Sequence, residues 1–172
     1  MTKRYETLTT PGHVESLVIR EIITAEVFRP LSGGGYPDEP SEVLCVGDLI
    51  VTAGLNYIAA RIASGDTVNS AMNYMAVGTV STAATYTDTG LTGEVKRKAL
   101  CTNSATANVY SAVCTLGGAA DSVTSLQIQE AGLFNHAGSG QGTMMQRVTI
   151  STWTPANSDL LKLTLQTNVG SR

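Results

Sequence analysis

Asn73–Ala99, NYMAVGTVSTAATYTDTGLTGEVKRKA, is answered further along the chain by Ile128–Ile150, IQEAGLFNHAGSGQGTMMQRVTI. The first stretch opens with a short apolar run, Tyr74–Val77, that stops at Gly78. A loop of small Thr, Ser and Ala residues follows, and an extended segment resumes around Glu94. The second belongs to a run from Leu126 to Phe134 that alternates Leu126 and Ile128 against Gln127 and Gln129, then loses phase at Glu130-Ala131-Gly132. A bulge at Gly132 accounts for that slip. Gly138–Gly142 predicts a tight turn, and Met144–Trp153 places Val148 and Ile150 on one face against Arg147, Thr149 and Ser151 on the other. The pattern is strands joined by turns.

Outward from this block the same period continues. Leu161, Leu163, Leu165 and Val169 alternate with Lys162, Thr164, Gln166 and Asn168, the signature of a strand buried on one side. Val95–Thr102 and Asn108–Leu116 read as two more strands, with Asn103–Ala107 as their connection and Gly117-Gly118 closing the second. One segment has helical spacing, Asp48–Ser64, where Ile50, Val51, Leu55, Ile58, Ala59 and Ile62 recur at three- and four-residue intervals. Asp48 is placed as its N-cap and Gly65 as its C-terminal cap, and with Arg61 as its one cation the helix is expected to lie against a sheet. Val14–Phe28 is rich in Val and Ile and reads as β. Pro30–Pro40, PLSGGGYPDEP, can continue neither regular structure and reads as a loop. Residues 1–13 read as an extended arm.

These elements predict a mainly β chain: an antiparallel β-sandwich, jelly-roll-like, with one α-helix and an extended N-terminal arm. The expected division is residues 1–46 as arm and Gly/Pro-rich loop, and residues 47–172 as helix plus β-sandwich.

The chain of 172 residues is long enough for one well-packed core. Charged residues make up only 15%, well under the usual quarter, and uncharged polar and small residues take their place. Such a surface suits either exposed β-sheet or burial against neighbouring subunits. A net charge of −3 leaves no electrostatic footprint for nucleic acid. In the basic cluster, alternation points Lys96 and Lys98 one way and Arg97 the other. No apolar run reaches the length of a membrane span, and MTKRYETLTT has no signal-peptide core, so a chain made and kept, or assembled, in a cytoplasm is expected. Cys45, Cys101 and Cys114 lack metal-ligand spacing. Cys101 and Cys114 fall in strand-like runs and read as buried free thiols, with a bridge across a hairpin as the alternative.

Candidate chemistry is thin. The only histidines, His13 and His136, have no partner at ligand spacing, and no nucleophile elbow precedes either. GSGQG lacks the Lys-Ser/Thr of a phosphate loop and precedes a strand, so a hairpin tip is expected. Asp88, Glu94 and Glu130 are too few and too scattered to nominate a hydrolytic pair. Glu130, at the period slip, reads as a buried, hydrogen-bonded carboxylate. Trp153, Tyr74, Tyr86 and Tyr110 could stack on a sugar, but with aromatics at 5% of the chain most are needed in the core. No catalytic, cofactor-binding or metal-binding residue is nominated.

NYMAVGT, TDTGLTGEVKRKAL, EAGLFN and GTMMQRVTI in this order, after the helical GDLIVTAGLNYIAARIASG, resemble a group of small structural proteins of tailed bacteriophages. The resemblance covers residues 47 to 169 and carries no catalytic residues. It implies a non-enzymatic virion protein that self-associates symmetrically as a homo-oligomer, while the charge and the lack of an apolar span predict no nucleic-acid or membrane partner. The first expectation is a capsid decoration (cement) protein bound to the major capsid protein. The alternatives are a tail, baseplate or host-recognition component bound to tail or baseplate proteins, and a carbohydrate-active jelly-roll enzyme. Residues 1–46 match nothing in that group, and an arm of this kind could add a strand to a neighbour's sheet edge. Loops 30–41, 79–93 and 135–142 are the other expected contacts.

Overall fold

The computed structural model describes residues 17–46, 49–64 and 70–171. The expectations for the arm, His13, Asp48 and Gly65 fall outside the described residues. Among them the chain forms ten strands and one helix. In order these are β1 (Leu17–Phe28), β2 (Glu42–Val46), β3 (Leu49–Ile50), α1 (Thr52–Ser64), β4 (Tyr74–Gly78) and β5 (Glu94–Ala99). They continue as β6 (Thr102–Thr106), β7 (Val109–Gly117), β8 (Ile128–Phe134), β9 (Met144–Trp153) and β10 (Leu160–Ser171).

The strands make two antiparallel sheets, ordered β2-β1-β10-β7-β6 and β3-β9-β8-β4-β5. One core joins them into a sandwich. Ile23, Ala25 and Val27 of β1, Ala112, Cys114 and Leu116 of β7, and Leu161, Leu163 and Leu165 of β10 face inward from the first sheet. Met75 and Val77 of β4, Ala131 and Leu133 of β8, and Val148 and Ile150 of β9 meet them from the second. Each large aliphatic chain so buried contributes about 1.5–3 kcal/mol, which makes this alternation the main determinant of the fold.

Residues 17–46, grouped by sequence with the arm, supply two strands of the first sheet: β1 pairs with β10 along its whole length. The loop 29–41 turns between β1 and β2, with Gly34 and Gly35 at positive φ and the Tyr36 hydroxyl donating to Ser158 O. The helix begins at Thr52 rather than Asp48, because Leu49 and Ile50 pair with Arg147 and Gln146 of β9. It packs on β9 so closely that a Cβ at Gly54 would lie 2.2 Å from Met145 O. The helix is less covered than its spacing predicts: Tyr57 is buried, but Leu55 is exposed and Ile62 is 77% exposed.

Three further expectations are corrected. Asn103–Ala107 is not the hairpin connection, since Thr102–Thr106 is strand β6 and only residues 107–108 turn. The slip in β8 is not a bulge at Gly132, which pairs regularly with Arg147 and Ala76; register shifts flank it at Ile128/Glu130 and Leu133/Phe134. Cys114 is buried and free, as its run predicts, but Cys101 sits exposed between β5 and β6. The Cys45 side chain lies outside the described residues.

Candidate interaction site: a loop pinned over the second sheet

The outer face of the second sheet is covered by residues 79–93, the loop between β4 and β5. Across one row of this face run Arg97, Ala76, Gly132 and Arg147, from β5, β4, β8 and β9. The two small residues leave a trough between two arginines, and Leu91 packs into it. A Cβ on Gly132 would lie 2.9 Å from Gln146 O and 3.1 Å from both Leu91 Cδ2 and Phe134 Cε2, and Leu91 packs against the cluster of Val51, Ala76, Phe134 and Met144. This is why a glycine stands in the middle of β8.

Arg147 is the pin on one side. Its Nη2 lies 2.8 Å from Glu130 Oε2, its Nε donates to the same oxygen at 3.0 Å, and its Nη1 donates to Asp88 Oδ2 at 2.6 Å. The remaining guanidinium hydrogens reach the loop backbone, Nη2 donating to Thr82 O at 3.0 Å and Nη1 to Ala83 O at 3.5 Å. Glu130, fully buried as a bonded carboxylate, accepts from Gly93 N at 2.8 Å and Thr92 N at 3.4 Å, so the far end of the loop is tied to the same ion pair. Asp88 closes a local turn by accepting from Thr85 N and the Thr85 hydroxyl. Burial alone would raise the Asp88 pKa; the bonds from Thr85 and Arg147 outweigh it and hold the carboxyl below its ordinary value. Those carboxylates raise the Arg147 pKa against the opposing effect of burial. Tyr86 O, at the loop's tip, accepts from Thr52 N at the start of α1.

Arg97 is the pin on the other side. Its Nε and Nη2 donate to the two oxygens of Glu94 at 2.9 and 2.7 Å, and its guanidinium carbon lies 3.7 Å from the centroid of the Phe134 ring. Its Nη1 donates to His136 O and Gln141 O, both at 2.9 Å, which ties down the β8–β9 connection containing GSGQG. A polar cavity of about 370 Å³ lies between the two loops, lined by Thr89, Thr92, Glu94, Arg97, Ser139 and Gln141 among others. The hairpin tip needs glycine where φ is positive, at Gly140 and Gly142.

Lys96 and Lys98 point to the other side of β5, as alternation predicts, and both reach Asp121, Lys98 at 2.8 Å and Lys96 at 3.6 Å. Asp121 also accepts from Gly117 N at 2.8 Å, so it bridges the open edge between the sheets. Burial works to raise its pKa, and the lysines with Gly117 N–H overcome it and lower it. The Lys98 pKa is raised, chiefly by its hydrogen bond to Asp121.

The structure therefore brings together in pairs residues that the sequence leaves scattered: Asp88 with Glu130 at Arg147, and Glu94 with the His136 backbone at Arg97. In each case an arginine is bonded to the carboxylates, and backbone or hydroxyl donors take the oxygens of Asp88 and Glu130 that it leaves. His136 Nδ1 accepts from Gly138 N. Trp153 is buried in the core, Tyr74 and Tyr110 are half-buried, and Tyr86 is exposed, so the four aromatics form no common surface. Among the described residues no three His, Cys, Asp or Glu side chains gather as a metal site, and no helix is long and apolar enough to cross a membrane. Sequence reasoning missed Arg147 and Arg97 as organising residues. Their signal was an arginine within a strand, opposite a period slip in one case and three residues from a glutamate in the other. No family model matches the chain, and neither does any curated protein or solved structure.

Proposed function

We propose that this chain is a non-enzymatic structural protein of a tailed-phage virion, a capsid decoration protein that binds across subunits of the assembled shell. The observation that carries the reading is the use of ionisable groups. Asp88, Glu94, Glu130 and Asp121 are each ion-paired to an arginine or lysine of the same chain, and Asp88, Glu94 and Glu130 with Arg97 and Arg147 hold loops 79–93 and 135–142 against a rigid sheet. Loops held this way form a contact plate that loses little entropy on binding. The low charge and the resemblance of residues 47–169 to phage structural proteins support the same reading. Binding only to assembled shell would stabilise the shell by mass action.

Quantitative mass spectrometry of purified particles tests this. Decoration requires copy numbers comparable to those of the shell subunit. A few copies per particle would move the role to the tail or baseplate, and a particle without the chain would refute a virion role.

A further inference from the structure

We infer that two copies of this chain pair through β6, edge to edge around a two-fold axis, joining their first sheets into one continuous sheet. Among the described residues four strands have a neighbour on one side only, β2, β6, β3 and β5. An unpaired edge invites association unless it is short, charged, bulged or covered. Three of the four carry such a guard. β3 is two residues long. β5 contains Lys96, Arg97 and Lys98, and its pairing with β4 is broken by a register shift. β2 carries Glu42, and its pairing with β1 shifts at Ala25/Glu26.

β6 has no guard. Its sequence, Thr-Asn-Ser-Ala-Thr, holds no charge and no proline, it pairs with β7 in unbroken register, and all five side chains are exposed. It is also close to a palindrome. Antiparallel pairing centred on Ser104 sets Thr102 against Thr106 of the partner subunit, Asn103 against Ala105 of the partner subunit, and Ser104 against its own copy. Thr–Thr pairs are favourable across antiparallel strands, and no pair in this register opposes like charges or two bulky groups. A two-fold contact of this kind closes on itself, so it yields a dimer and not a fibre.

A second feature lies beside the same strand. The inner face of β6 is one wall of an apolar groove of about 500 Å³, whose other walls include Tyr57, Ile58 and Ile62 of α1, Tyr110 of β7 and Val169 of β10. Ile62 and Val169 are 77% and 40% exposed, the latter although it continues the inward-facing row of β10. A second copy added at β6 supplies the neighbour that this apolar rim lacks among the described residues. The pairing stands whatever particle the chain belongs to.

Ser104 provides the test, because it meets itself on the axis and its side chain is exposed in the single chain. Sedimentation velocity and native mass spectrometry of the full chain, over a concentration series to the solubility limit, are expected to show a dimer. Ser104→Lys places two ammonium groups face to face and is expected to raise the dimer Kd by about tenfold or more, with an unchanged circular dichroism spectrum. Ser104→Cys in a Cys101→Ser background is expected to give a disulfide-linked dimer on mild oxidation. A chain that stays monomeric throughout, or an oligomer indifferent to Ser104→Lys and not crosslinked through Cys at 104, overturns the proposal. The second outcome would assign association to another surface.

Discussion

Arg147 and Glu130 form an ion pair with almost no exposure to water: the side chains are 1% and 0% exposed, and Arg147 Nη2 stands 2.8 Å from Glu130 Oε2. Both lie on the outer face of a sheet, where a charged pair would ordinarily be solvated. The loop 79–93 covers them, and they in turn supply its bonds.

Breaking this pair from one side leaves a buried charge without a partner. Arg147→Met is expected to cost about 3–5 kcal/mol in denaturant unfolding and to open loop 79–93 to limited proteolysis. Arg147→Met with Glu130→Gln is expected to cost less than the single change, since the fully buried charge is gone and only Asp88, 21% exposed and still bonded by Thr85, has lost its arginine. A single-variant cost below about 1 kcal/mol, the range of a surface ion pair, would mean that the pair does not hold the loop.

Acid should weaken the fold through Asp88 and Asp121. Both carboxyls are held below their ordinary pKa in the folded chain, so the unfolded chain takes up protons first, near pH 4. Their contribution is present above that pH and disappears as pH falls through the lowered folded values. Unfolding free energy measured over a pH series should decline below about pH 4. Asp88→Asn and Asp121→Asn should each flatten that decline, and a curve parallel to the parent's would contradict the assignment.

Gly54→Ala should loosen α1, because the added methyl meets the Met145 backbone, which cannot swing aside. A loss of about 1–3 kcal/mol is expected, the usual cost of overpacking. Gly90→Ala is the control: nothing lies within 4 Å of its Cβ, and stability should change by no more than about 1 kcal/mol. Equal effects at the two sites, read by thermal unfolding, would remove the close approach of helix and strand from the account.

The two described thiols should differ in reactivity. Burial pushes the Cys114 thiol up to about 12, whereas Cys101 is exposed. Brief alkylation near pH 8 followed by peptide mass spectrometry should label Cys101 in the native chain, and Cys114 only after denaturation. Native labelling of Cys114 would show that the sheet around it opens readily.

Where the side-chain period is strong, the strands were legible: β9 and β10 lie where their apolar alternation puts them, because each buries one row in a shared core, and β4 lies at its short apolar run. β6 was missed for the opposite reason. Thr-Asn-Ser-Ala-Thr buries nothing, so it has no apolar row to read, and it is a strand only because β7 pairs with it. Leu49 and Ile50 fit the helical spacing of the following segment, yet pairing with β9 takes them into a sheet. Glu130 was legible as a buried carboxylate from its place at a period slip. Arg147 was not, because the loop that buries it is distant in sequence and has no period of its own.

Cryo-electron microscopy of the intact particle is the most direct test of the proposed decoration role. Density for the sandwich is expected at subunit boundaries over the whole outer shell, with loops 79–93 and 135–142 turned toward the contact. Density confined to one vertex, or a shell with no such density, would contradict decoration.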